Sequence, residues 1–93
     1  MIIGIVTASL AIPEARSLKD KRSVLRGLKD RAINKMNVSV AEVGQQDVWK
    51  SADLAFVTVA AESQVVQRRI ADISEFLRSD PRYTLVTLHT EIL

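Results

Sequence analysis

Two stretches of this chain are apolar on both of their alternating sides, and that restricts where each can sit in a fold. In residues 2–12, Ile3 and Ile5 form one set and Ile2, Val6, Ala8, Leu10 and Ile12 the other. In residues 53–62, Leu54 and Phe56 alternate with Ala55, Val57, Val59 and Ala61. Side chains of a strand point alternately to its two faces, so a segment greasy on both belongs in the middle of a sheet. Pro13 ends the first, having no N–H to give to a neighbouring strand.

Between and after these strands the apolar period changes from two to about 3.6. Leu18, Leu25, Leu28 and Ala32 recur at helical spacing, with Val24 and Ile33 widening the stripe. Ser17 is the expected N-cap, and Asp20 at N3 suits both a short-armed capping box and the positive end of the helix. A helix is expected over 17–35, followed by a short strand at 38–43. Gly44, Gln45, Gln46 and Asp47 form a loop signal. Ser63 is the expected N-cap of a second helix, whose buried stripe is Val66, Ile70, Ile73 and Leu77. Asp80-Pro81 stops it, because the residue before proline is pushed out of helical geometry. Alternation around Leu85, Val86, Leu88 and Ile92 gives a last strand at 83–92.

The order is therefore strand, helix, strand, strand, helix, strand. Right-handed crossovers put both helices on one face of a four-stranded antiparallel sheet, with the first and third strands side by side in its centre. This is the α+β, ferredoxin-like βαββαβ sandwich, expected as one domain over 1–93. Only one sheet face is then covered, and the two-sided apolar strands leave grease on the other. Ile3, Ile5, Leu54 and Phe56 are the expected open patch, with Trp49 beside it, and a homo-oligomer is the expected consequence.

Charge narrows the functional classes. The chain carries +2 overall. Residues 16–35, however, hold eight cations (Arg16, Lys19, Lys21, Arg22, Arg26, Lys29, Arg31, Lys35) against Asp20 and Asp30, a local +6 that leaves −4 for the rest. Arg22, Arg26 and Lys29 stand at i, i+4, i+7 with Lys19 a turn earlier, so they share one helix side. Like charges at that spacing destabilise a helix slightly. A row of cations on a rigid element suits phosphates, whose contacts give affinity without sequence information. Arg16, Lys19, Arg22, Arg26 and Lys29 are the expected nucleic-acid contacts, with RNA or a ribosomal assembly as partner; the bland alternative is a solvated, solubilising face. Sheet-face RNA binding is not expected, since only Phe56 among the aromatics falls on a central strand.

Catalysis is not expected. There is no cysteine, so thiolate chemistry and Cys-built metal sites are excluded. His89 is the sole histidine and has no evident orienting group, and the carboxylates are scattered. A phosphate cradle of the acylphosphatase kind would want glycine where the chain has Ile12-Pro13-Glu14-Ala15-Arg16. No cofactor or metal is expected. No apolar run reaches the roughly 20 residues needed to cross a bilayer, so no membrane partner is expected, and the location expected is the cytoplasm. Trp49, the only tryptophan, reads as an end-cap of the core, a subunit contact or an anchor for a partner.

Two segments, SLKDKRSVL at 17–25 and NVSVAEV at 37–43 running on to QDVW at 46–49, resemble the YlxP-like family of small bacterial proteins, a domain of unknown function. The similarity covers nearly the whole chain and implies the same ferredoxin-like fold. It also implies a translation or ribosome-maturation setting, from the genes that family members neighbour, and it carries over no catalytic residues. Gly44 departs from the family's bulkier polar residue, often Asp, at that loop position.

Overall fold

A computed structural model describes residues 1–93. Its elements are β1 (Ile2–Ala11), α1 (Leu18–Lys35), β2 (Ser39–Gly44), β3 (Ser51–Ala60), α2 (Ser63–Arg78) and β4 (Thr84–Ile92). The sheet order is β2-β3-β1-β4, with every neighbouring pair antiparallel. The two-sided apolar strands are thus the central ones, as their pattern requires. The third strand starts and ends two residues earlier than expected, at Ser51 and Ala60.

Register decides which grease is covered. Val6 pairs with Phe56 and Ala8 with Leu54, while Ile5 pairs with Val57 and Ile3 with Val59. Directly opposed residues share a face. Val6, Ala8, Leu10, Ala52, Leu54 and Phe56 therefore all point toward the helices and are buried. They join Leu25, Leu28 and Ala32 of α1 and Ile73, Phe76 and Leu77 of α2 in one core. This corrects the expected open patch: Leu54 and Phe56 belong to the core. Ile3 and Ile5 do lie on the uncovered face, but their neighbours there are Ala55, Val57 and Val59. Each strand's alternation holds, but the register between β1 and β3, which alternation alone does not fix, decides which set of each strand shares a face.

Ser17 caps α1, its Oγ accepting from the Asp20 amide at 3.1 Å. Asp20 returns a bond one residue further back than a full capping box, Oδ2 accepting from the Arg16 amide at 2.9 Å. Ser63, expected as the second cap, is instead the first residue of α2. Glu62 occupies the cap position without a side-chain bond, and Ser63 Oγ accepts from Gln67 Nε2 at 3.2 Å.

Gly4 lets α2 approach the sheet. A Cβ there would stand 2.6 Å from Val66 Cγ1, and Val66 is fully buried. Beside it, the buried Thr58 hydroxyl donates to the Asn37 carbonyl at 2.8 Å and accepts from Arg69 at 2.9 Å, so no buried polar group is left over there.

Candidate nucleic-acid interface

Helix α1 sorts its cations by direction. Arg22 and Arg26 are exposed and Lys29 half-buried along the side expected, with Lys19 and Arg16 exposed toward the helix start. None of these five makes an ion pair; the ion pairs of the chain are Lys21–Glu42, Arg31–Asp80 and Arg82–Asp80. Arg22, Arg26 and Lys29 border a shallow groove of about 210 Å³, whose other walls are Leu25, Asp30 and Glu42. A phosphate in that groove would meet three cations, Asp30, and a Glu42 already engaged elsewhere.

Glu42 is engaged by Lys21, one of the eight cations of residues 16–35 and not one of the five expected contacts. Lys21 is 1% exposed and is among the largest fully buried side chains in the protein. Its Nζ lies 2.7 Å from Glu42 Oε2 on β2 and donates to the carbonyls of Gln45 at 2.5 Å and Val48 at 2.7 Å. Two of the ammonium's three protons are donated to these carbonyls, and its charge is balanced by the Glu42 carboxylate. The Glu42 contact is an ion pair by distance; Oε2 sits off the direction of a good hydrogen bond and has no other donor. Burial of a lone cation would be prohibitive, and this arrangement is what makes it tolerable.

The sequence carried a signal for Lys21. Positions 18, 21, 25, 28 and 32 make an unbroken i, i+3, i+7 stripe, and Lys21 fills the place missing from the apolar series. Glu42 likewise stands in the alternation Val38, Val40, Glu42, on the face that looks at α1. Each charge is conspicuous on an inward position only when the other is known to face it.

The consequence lies in the loop after β2. Gln45 adopts φ +61°, the left-handed region rarely used by non-glycine residues. Its carbonyl also accepts from the Val48 amide at 3.0 Å, and the Lys50 carbonyl accepts from Ile12 at 2.8 Å. The loop is tied to α1 at one point and to the end of β1 at another, and Trp49 sits between the ties. Its side chain is 50% exposed. Trp49 is not among the partly buried hydrophobic side chains that pack against the core. Gly44, where the resemblance favours a bulkier polar residue, faces Asp53: a Cβ would lie 2.8 Å from Asp53 Oδ2. Asp53 accepts from Ser9 Oγ at 2.8 Å on the uncovered face.

A second polar cluster, which sequence reasoning missed, joins the other half of α1 to the turn before β4. Asp80 Oδ2 accepts from Arg31 at 2.6 Å and Arg82 at 2.8 Å. The Arg82 hydrogen bond, helped by Arg31, lowers the Asp80 pKa to about 2 against the opposing effect of burial. Gly27 leaves room here, since a Cβ would lie within 3.2 Å of Arg31 and 3.6 Å of Arg82 guanidinium nitrogens. The neighbouring Tyr83 hydroxyl is buried without a partner, and burial raises its pKa to about 12. Arg31, Asp80, Arg82 and Tyr83 share the wall of a cavity of about 390 Å³.

His89 is exposed on the uncovered sheet face opposite Thr7, with no hydrogen bond. No group of three or more His, Cys, Asp or Glu is placed to hold a metal ion. No helix is long and apolar enough to cross a membrane.

Residues 3–90 match the family described as "Protein of unknown function (DUF503)". The chain is 31% identical over 90 residues to a protein of Bacillus subtilis (strain 168) described as "Uncharacterized protein YlxP", an alignment spanning 97% of this chain and 98% of that one. The two motifs behind the resemblance meet in space, Lys21 of the first holding Glu42 and Val48 of the second. The chain belongs to the DUF503, YlxP-like family.

Proposed function

We propose that this protein is a non-enzymatic, cytoplasmic module that contacts RNA or a ribosomal assembly through the outward side of α1. The observation that supports it is the division of labour among the α1 cations. Lys21 and Arg31 are engaged by Glu42 and Asp80, while Lys19, Arg22, Arg26 and Lys29 on the capped helix, and Arg16 just before it, are left without carboxylate partners. Unpaired cations release counterions on meeting phosphate, and that release supplies the affinity. The uncovered sheet face carries no Phe, Tyr or Trp for base stacking, since Phe56 points into the core and His89 alone among ring side chains stands there. Affinity for single-stranded RNA measured against salt tests the proposal. With three to five phosphate contacts, log K falls with log salt at a slope of about −2 to −3.5. No binding at low salt, or a flat dependence, ends it.

A specific observation favours a second reading, a protein-interaction domain that self-associates through the uncovered sheet face. Ile3, Ile5, Ala55, Val57 and Val59 lie there with Ala41 and Val43, and no helix covers them. Four strands at about 4.8 Å spacing and roughly 30 Å of length give about 550 Å² per copy. Two such faces reach about 1,100 Å², the lower end of stable interfaces. Val57→Glu places a charge at an already exposed position and is expected to yield monomers from a wild-type dimer in sedimentation. A wild-type chain that stays monomeric at high concentration removes this reading.

A further inference from the structure

We infer that Trp49 is a stacking platform for an unpaired nucleobase of the RNA whose phosphates meet α1; the inference rests on the RNA reading above and adds the site that holds a base. Three observations carry it. The first is that the Trp49 side chain is half exposed while its backbone is pinned on both sides, through the Val48 carbonyl on Lys21 and the Lys50 carbonyl on Ile12. A half-exposed aromatic on a tied backbone has less loop freedom to lose when it binds.

The second is that the pin is shared. The amine that fixes Val48 belongs to the residue immediately before Arg22, so the loop and the unpaired cation row are anchored to the same turn of α1. A chain crossing that turn would find cations for its backbone and an indole for a base. The third is the loop's own composition. Lys50 follows Trp49 in the chain, is exposed and makes no ion pair. Stacking needs only a π-face, so the platform is tolerant of sequence and suits a contact otherwise made to phosphates.

Trp49 is the only tryptophan, so its emission reports on this site alone. The experiment titrates the protein with a single-stranded, dye-labelled RNA of about 12 nucleotides, reading tryptophan emission and RNA anisotropy in parallel. Emission is expected to be quenched along the same isotherm as the anisotropy. Trp49→Ala weakens binding by about 5- to 150-fold, the equivalent of stacking one base, whereas Trp49→Phe keeps most of it. Anisotropy that rises with emission unchanged and Trp49→Ala at wild-type affinity overturns the platform and leaves the phosphate contact standing. No rise in either signal overturns both. Emission that shifts with protein concentration alone, as the mass doubles, assigns Trp49 to a subunit contact and likewise overturns it.

Discussion

Helix α1 fastens a loop at each of its ends, and the two fastenings are built differently. Near its start, the cation is inside: Lys21 is buried and points at Glu42 and two loop carbonyls. In its second half, the anion is inside: Asp80 is largely buried, and the cations that hold it, Arg31 and Arg82, are 43% and 47% exposed. The difference teaches that a charge count on a helix says little about which charges are available. A lysine fits the first place because its slim stem can pass through the core and deliver one compact charge. Arginines fit the second because planar guanidiniums can converge on one carboxylate from the rim.

The largest effect separating the two should come from Lys21→Met. It removes the cation while Glu42, 18% exposed, stays behind without a partner. A loss of about 3 kcal/mol in denaturant unfolding is expected. Faster amide exchange at Val48 should accompany it as the loop loosens. Stability within about 0.5 kcal/mol of wild type would show that the buried ammonium holds nothing.

Asp80→Asn should cost less, about 1 kcal/mol, because both arginines remain solvated. Acid offers the same comparison without mutation. Asp80 has its folded pKa below its ordinary 3.8, at about 2. The folded state therefore binds its proton less readily than the unfolded chain. Its contribution is present above about pH 4 and is lost as pH falls toward 2. The wild type should lose more stability across that window than Asp80→Asn does. Equal losses would place the acid sensitivity elsewhere.

The fold was legible because it depends on patterns that each segment carries alone. The two-sided strands 2–12 and 53–62, the stripe at Val66, Ile70, Ile73 and Leu77, and Ser17 before its helix all state their roles without reference to a partner. What could not be read alone was relational. Whether Phe56 or Val57 faces the helices depends on the pairing of Val6 with Phe56, which neither strand encodes by itself. Lys21 on an inward stripe and Glu42 on an inward alternation explain each other, and each in isolation resembles a surface charge. The Arg31–Asp80–Arg82 cluster brings together residues 49 apart in the chain, so no local spacing announces it. Trp49 was conspicuous by type, but its half exposure between the ties at Val48 and Lys50 comes only from the fold.

The claim on which the rest depends is that α1 keeps its engaged cations for structure and its unpaired ones for phosphate. RNA affinity of the Arg22→Glu, Arg26→Glu double variant, measured at low salt beside the wild type with helix content and melting temperature monitored, tests it most directly. The account predicts an unchanged fold with affinity reduced by about 30-fold or more, on the order of 1–2 kcal/mol for each charge-assisted contact reversed. A double variant that folds and binds RNA as the wild type does would contradict it.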